Sequence, residues 1–230
     1  MVSIKEDMGF QKLLEALNRV SKSYERASKI LTLGLEKRFR GEALLAIEPG
    51  RILDVGSGTG VMAREILRRS TGSYVVALEP LPGFLAILKG VLENPQADVV
   101  QGYIEYMPFR DKAFDTVIAG FMLRDVMDLG RSISMMARGG RKAIVILDFW
   151  RPDNILVLLI EVIYMFLIMG LVAAISPRDV RGYMEMIRTV FRVPRIGGLI
   201  RLLKGLGVVK VRCWALCILF LARIDICPSI

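Results

Sequence analysis

The amino-acid sequence predicts an α/β fold, in which a mostly parallel β-sheet is covered by helices on both faces. Short apolar segments alternate with helical patterns from residue 50 to residue 150, and this alternation is typical of a parallel sheet. A glycine-rich turn joins the first of these strands to a helix. The length of 230 residues is common for one α/β domain with a single core.

The glycine-rich turn is the most informative stretch of the chain. An apolar strand at 52–55 runs into Gly56, Gly58 and Gly60, and a helical pattern begins at Val61. Glycine allows positive φ and leaves room for a ligand against the backbone. The N–H groups of the following helix start then face that ligand. The turn therefore predicts a binding site for a nucleotide-like ligand.

The spacing of the glycines indicates which ligand. A dinucleotide fingerprint would require a third small residue at position 61, where the chain has Val61. The observed pattern, Asp54-x-Gly-x-Gly-x-Gly60, resembles the first motif of class I S-adenosylmethionine-dependent methyltransferases. Glu79 ends the next apolar strand, where a carboxylate can accept both ribose hydroxyls. Another nucleotide, or a turn without ligand, remains an alternative.

Composition limits the partners and the chemistry. Hydrophobic residues make up 53% of the chain and the formal net charge is +9, so an anionic membrane surface or a nucleic acid is the expected acidic partner. No RNA-binding module is recognisable, which argues against nucleic acid. The chain has no histidine, the commonest metal ligand and general base, and no metal site is predicted.

The cysteines and the N-terminus predict a reducing, cytoplasmic protein. If Cys213 and Cys217 share a strand, they are about 13 Å apart, too far for a disulfide. They and Cys227 are therefore expected to be core thiols. No signal-peptide pattern follows Met1. The pattern leaves open whether the chain forms a homodimer.

Helical patterns occur before the glycine turn, and predicted strands follow it. Residues 8–39 show helical periodicity, with a second helix starting near Ser21 or Ser23, and these helices either cap the ligand edge or only cover core. In a parallel sheet, ligands bind at the carboxyl ends of the strands. The residues expected along that rim are Gly56, Glu79, Tyr103, Gly120 and Asp148.

Several motifs in order make the resemblance more specific. They are Leu31 to Arg40, the glycine turn, Gly102 to Phe109, Phe114-Asp115, Phe121-Met-Leu-Arg-Asp-Val126 and Gly139-Gly-Arg141. Together they resemble the ubiquinone/menaquinone-biosynthesis C-methyltransferases over residues 24–152. The resemblance implies a Rossmann-like, seven-stranded, mostly parallel sheet of strand order 3-2-1-4-5-7-6.

The resemblance also implies roles for individual residues. Gly56, Gly58 and Gly60 would border the methionine part of S-adenosylmethionine, and Glu79 would bind its ribose. Arg124 and Asp125 would face the substrate as the catalytic pair. The full cofactor-binding set implied is Asp54, Gly56, Ser57, Gly58, Gly60, Glu79, Pro80, Tyr103, Ile104, Glu105, Gly120 and Phe121.

Three positions depart from the family pattern. Tyr103 replaces the usual adenine-binding aspartate, so backbone at Ile104 or the side chain of Glu105 would substitute. Glu36 replaces a histidine, and Asp125 replaces an asparagine. Because no histidine is present, the base for a carbon acceptor is expected to be Asp125, with Asp148 as second choice.

The segment 151–206 is expected to form a hydrophobic and basic helical lid. Residues 155–175 carry one charge, Glu161, and are long enough to span a bilayer. A mid-span carboxylate costs roughly 2.5–3.5 kcal/mol, and the following strands must return to the sheet, so a lid helix is favoured. Residues 181–194 form a basic amphipathic pattern typical of an anionic interface or of an ordinary solvated face.

One domain is therefore predicted, with four parts. These are a helical cap (1–48), a cofactor-binding core (49–150), the lid (151–206) and a last strand pair (207–230). The expected activity is C-methylation of a small hydrophobic, polyprenyl quinol-like acceptor by a cytoplasmic, peripherally membrane-associated enzyme. The alternatives are a methyltransferase for another lipid-like or small acceptor, or a non-catalytic membrane-associated protein that keeps the fold, which Tyr103 motivates.

Overall fold

The computed structural model describes residues 8–175, 180, 183–184, 188–189, 191, 193–214 and 219–226. Seven strands, eight α-helices and two short 3-10 helices have defined bounds there. The strands are β1 (Arg51–Val55), β2 (Tyr74–Glu79), β3 (Ala97–Gln101), β4 (Phe114–Gly120), β5 (Gly140–Phe149), β6 (Val208–Trp214) and β7 (Leu219–Asp225). The helices are α1 (Met8–Val20), α2 (Tyr24–Leu31), α3 (Glu36–Leu44), α4 (Val61–Arg69), α5 (Pro82–Val91), α6 (Leu129–Gly139), α7 (Ile155–Ile175) and α8 (Ile196–Lys204).

The strands form one sheet in the order β3-β2-β1-β4-β5-β7-β6, which confirms the predicted topology. The first five strands in that order pair in parallel, and β7 is antiparallel to both β5 and β6. The order reverses at β1, whose neighbours are β2 and β4. This is the topological switch point at which open α/β sheets bind ligands, outside the strands' carboxyl ends.

Apolar side chains on both faces of the central strands fill two core clusters. Alternate residues of β1 point to opposite faces, so Leu53 and Val55 belong to one cluster and Ile52 to the other. Burial on both faces explains why these strands read as continuous apolar runs.

A third apolar cluster covers the carboxyl edge of the sheet. Phe10, Leu13 and Leu17 of α1 pack there with Ile168 and Val172 of α7. The N-terminal helices therefore pack over the edge of the sheet at which ligands bind, in addition to covering core residues. The predicted helical stretch 8–39 is broken, however: a turn with Leu33 at φ 52° and Gly34 at φ 77° separates α2 from α3.

The cysteine prediction was wrong at one position. Cys213 is disulfide-bonded. Cys213 is exposed near the end of β6, which the structure describes as far as Trp214, so it is not a buried core thiol. Much of the predicted amphipathic segment 181–194 lies outside the described residues, as do Cys217 and Cys227.

Candidate active site

The glycine turn has the backbone conformation that its sequence predicts. Gly56, Gly58 and Gly60 have φ values of 63°, 57° and 79°, in the left-handed region that favours glycine. A side chain at Gly58 would meet nothing closer than 3.9 Å, so one face of the turn is open to a ligand. At Gly60 a side chain would come within 2.7 Å of Leu88, and this glycine serves the packing of α4 against α5.

Glu79 ties the turn to the end of β2. Its Oε2 accepts a hydrogen bond from the N–H of Gly58 at 2.9 Å, and its Oε1 accepts one from the N–H of Leu81 at 2.9 Å. Each carboxylate oxygen can accept a second hydrogen bond, so acceptors remain for two ribose hydroxyls. Burial raises the pKa of the Glu79 carboxyl to about 7, and the bound amides act in the opposite direction.

Two adjoining cavities surround this turn. The first, of about 700 Å³ including the part open to solvent, lies over the glycine turn. The second follows the chain after β3. The predicted residues that line them are Gly56, Ser57, Gly58, Glu79, Pro80, Tyr103, Ile104, Glu105, Gly120, Phe121 and Asp125. Asp54, Gly60 and Arg124 are not among the lining residues.

Met122 stands at the junction of the two cavities. It lines both of them, and its side chain would lie 2.8 Å from a Cβ atom at Gly56. An alanine at position 56 would therefore clash with Met122, in addition to straining the backbone. Met122 is an unbranched and adaptable side chain that can move between rotamers.

Arg40 lines the first cavity, and the buried Asp54 carboxyl interacts electrostatically with it without lining the cavity. Arg40 Nε and Asp54 Oδ2 have no hydrogen-bond partner within the described structure. The Arg40 guanidinium lies 5.0 Å from the centre of the Phe121 ring and lines the cavity. Burial raises the pKa of the Asp54 carboxyl to about 7 and lowers that of Arg40. Leaving a buried guanidinium N–H without a partner is costly, so an anionic group of a ligand, such as a carboxylate, fits at Arg40.

Phe121, in the wall of the first cavity opposite the glycine turn, has an unusual backbone conformation. Its φ is 61°, and for a residue with a side chain such a conformation costs on the order of 1–3 kcal/mol. Its N–H donates to Leu147 O at 2.7 Å, which fixes the turn at the end of β4. The wall at 120–122 is thereby held facing the glycine turn.

The second cavity contains the residues predicted from the sequence to lie around the adenine. Tyr103, Ile104 and Glu105 line it. Glu105 Oε1 already accepts a hydrogen bond from the N–H of Met127 at 2.8 Å. The backbone at Ile104 is thus the better candidate to replace the missing adenine contact, because the Glu105 carboxylate holds the neighbouring loop.

The predicted catalytic pair lies in a buried charge cluster. Arg124 is within 3.7 Å of Asp148 and 3.9 Å of Asp125. Burial acts to lower the pKa of the Arg124 guanidinium, but these two carboxylates outweigh it and raise the pKa. Asp148 accepts hydrogen bonds from the N–H groups of Leu123 and Phe149, both at 2.8 Å, which gives it a structural role. Only Asp125 of the three lines both cavities.

Sequence reasoning missed several residues of the site. Leu14 and Leu17 of α1, Tyr24 of α2, Arg40 of α3 and Met122 all line the first cavity. Their signal was weak, because they come from elements distant in the chain whose packing no local pattern predicts. The first cavity is also lined by Thr59, Val61, Leu81 and Phe84, which were not predicted either, although Thr59 stands within the glycine turn itself.

Comparison with known proteins agrees with this fold and site. Residues 53–143 match the family model described as "Methyltransferase domain". The chain is 30% identical to the demethylmenaquinone methyltransferase of Mycobacterium sp. strain KMS, over 84% of each chain. It is 32% identical to the ubiquinone/menaquinone biosynthesis C-methyltransferase of Geobacter sulfurreducens, over 63% of this chain and 60% of that protein.

Solved structures share the fold at low identity. The possible histamine N-methyltransferase of Thermotoga maritima superposes with a TM-score of 0.65 at 16% identity, over 93% of this chain and 99% of that one. The plantazolicin methyltransferase BpumL, solved in complex with S-adenosylhomocysteine, has a TM-score of 0.64 at 12% identity, over 94% and 95%.

The fold, the glycine turn and the acid at the end of β2 define an S-adenosylmethionine-dependent methyltransferase. Arg40, which lines the first cavity with an unpartnered Nε, suits the carboxylate of that cofactor. Within this class, the chain belongs to the ubiquinone/menaquinone biosynthesis C-methyltransferase family.

Proposed function

We propose that the protein transfers a methyl group from S-adenosylmethionine to a ring carbon of a polyprenylated quinol. Relatives at about 30% identity are named as quinone-biosynthesis methyltransferases. The observation that carries the proposal is α7, a 21-residue helix whose one charged residue is Glu161 and which packs through Ile168 and Val172 against the helices beside the site. A hydrophobic acceptor requires apolar side chains around its binding site, whereas a polar small molecule does not.

The protein's main contribution is alignment of the acceptor. The cofactor supplies a methyl group on a positively charged sulfur, which is already a good leaving group. Holding the ring in line with it provides about 7–11 kcal/mol of the barrier in favourable cases. Asp125, which lines both cavities, and Arg124, its ion-pair partner, are the residues that would orient a ring hydroxyl.

Methyl transfer from labelled cofactor tests the acceptor. Reduced demethylmenaquinone with a short prenyl tail is mixed with the protein and S-adenosylmethionine labelled in its methyl group. We expect label in the naphthoquinol fraction, since the apolar roof favours such a ring. Total RNA and bulk protein serve as competing acceptors, and label confined to either of them would exclude the quinol.

The outer face of α7 is the second part of the proposal. One described helix, α7, is long and apolar enough to cross a membrane. It instead packs on α2, where Tyr164 donates to Leu31 O at 2.7 Å, and it leaves an apolar face exposed. The exposed side chains are Ile155, Leu156, Leu159, Ile160, Ile163, Phe166, Leu167 and Leu171.

Basic residues near this face favour an anionic lipid surface as its partner. The turn after α2 exposes Leu33 and Leu35, with exposed Lys29, Lys37 and Arg38 around them. Apolar side chains enter the lipid boundary while lysine and arginine contact anionic headgroups. We infer that this face rests on the membrane from which the quinol is taken.

Flotation with vesicles containing phosphatidylglycerol tests the membrane contact. Each apolar side chain contributes about 1.5–3 kcal/mol when fully buried. The double substitution Phe166→Asp with Leu167→Asp is therefore expected to lower vesicle binding at least about tenfold. Leu45→Asp, which changes an 80%-exposed leucine just before β1, is the matched control. Equal flotation of both variants and the wild type would contradict the contact.

A further inference from the structure

Glu161 is the one charged residue of α7, and it points into the protein. It is 1% exposed, on the same side as Leu158, Ile168 and Val172, while the opposite side of the helix exposes apolar residues. A surface helix ordinarily does the reverse, with charge outward and apolar side chains inward. A charged residue half a turn further along α7 would be exposed to solvent. The burial of the Glu161 carboxylate therefore calls for a functional explanation.

No group within the described structure satisfies this carboxylate. Both Glu161 oxygens are buried and neither has a hydrogen-bond partner. Leaving a buried carboxylate unpaired is strongly unfavourable, and native proteins rarely do so without a functional cause. The buried side of α7 thus presents two unused acceptors to the interior of the protein.

Arg124 is the charged residue that interacts electrostatically with Glu161. Their electrostatic interaction opposes the effect of burial, which raises the pKa of the Glu161 carboxyl to about 7. Arg124 Nε is also buried and without a hydrogen-bond partner. The two groups are not in direct contact, because the ion pairs of Arg124 are to Asp125 and Asp148. A buried acceptor without hydrogen-bond partners and a buried N–H without one therefore lie within electrostatic range of each other.

We propose that Glu161 is the base of the reaction, which accepts the proton of the acceptor's ring hydroxyl while Arg124 steadies the resulting oxyanion. This inference rests on the proposed quinol acceptor. Asp125 and Asp148 are less suited, since Arg124 lies beside both and backbone amides occupy both oxygens of Asp148. In a chain without histidine, a buried glutamate is a suitable replacement.

The proposed step balances as follows. The O–H bond of the ring hydroxyl breaks, and the proton passes to a Glu161 oxygen. The electron pair left behind moves into the ring, and a ring carbon forms a C–C bond to the methyl group as the S–CH3 bond breaks, with its electrons kept by sulfur. The methylated carbon then loses its proton to water, and Glu161 returns its proton to the ring oxygen.

The variant Glu161→Gln tests this role with the short-tailed naphthoquinol as acceptor. Loss of a general base lowers rates by about 10²–10⁴-fold, so kcat should fall by that amount. The affinity for S-adenosylhomocysteine, measured by calorimetry, should stay unchanged. Glu161→Asp should recover part of the rate, and Glu93→Gln, at an exposed position, should match the wild type.

The pH profile separates a base from a packing residue. The wild-type rate should rise with pH through about 7, where the Glu161 carboxyl ionises, and Glu161→Gln should show a smaller rise, because Asp54, Glu79 and Asp148, whose pKa values burial also raises to about 7, are unchanged. The neighbouring charged groups, Arg124, Asp125, Asp148 and Tyr24, remain in both proteins. A wild-type rate and profile in Glu161→Gln would overturn the inference alone. A wild-type protein that binds S-adenosylhomocysteine yet leaves the naphthoquinol unlabelled would overturn the acceptor and the base together.

Discussion

Replacement of Glu79 by alanine is expected to abolish measurable binding of S-adenosylhomocysteine. The carboxylate holds the amides of Gly58 and Leu81 and keeps acceptors for two ribose hydroxyls. Hydrogen bonds to a charged group contribute about 1.5–3 kcal/mol each, so losing the two to ribose weakens binding by about 100-fold or more. Isothermal titration calorimetry measures this loss directly.

The control for this substitution is Glu93→Ala, which removes an exposed carboxylate shortly after α5. It should bind as the wild type does. A circular dichroism spectrum and unfolding temperature near the wild-type values would show that Glu79→Ala remains folded. Binding within threefold of the wild type in a folded Glu79→Ala protein would refute the ribose assignment.

Replacement of Arg40 by methionine is expected to weaken S-adenosylhomocysteine about 10- to 100-fold, while leaving 5′-methylthioadenosine unaffected. The second ligand has the same nucleoside and sulfur but no amino-acid group. Arg40 is buried at the cavity wall with Nε unused, so its charge is available to the ligand's carboxylate. One charge-assisted interaction of about 1.5–3 kcal/mol corresponds to that change in affinity.

The comparison of the two ligands distinguishes recognition from general damage. A role of Arg40 in holding α3 against Phe121 would weaken both ligands alike. Arg38→Met, which alters an exposed arginine of the same helix, should change neither. Equal losses for the two ligands in Arg40→Met would therefore refute the carboxylate assignment.

The parts of the site that follow local patterns were predictable from the sequence. The glycines at 56, 58 and 60 indicate a turn with positive φ between a strand and a helix, and the structure has that turn. The position of Glu79 in the site could be predicted because it is the last residue of the next strand. The sheet order follows from the alternation of strands and helices together with the family motifs.

The parts that depend on packing between distant segments were not predictable. Arg40 reaches the cavity only because α3 lies beside Phe121, eighty residues on. In the sequence, Glu161 indicates only that residues 155–175 insert poorly into a membrane. The burial of its side chain depends on which side of α7 packs against α2, and no local pattern predicts that. Met122 packs on Gly56 because two strand ends meet at the switch point of the sheet.

A crystal structure of the protein with S-adenosylhomocysteine is the most direct test of the cofactor site. The geometry predicts ribose hydroxyls within hydrogen-bond distance of Glu79, the α-carboxylate at Arg40 and the adenine beside Ile104. The thioether sulfur should lie between the glycine turn and Asp125. A ligand bound elsewhere, or a ribose that makes no contact with Glu79, would contradict the assignment of this cavity to the cofactor.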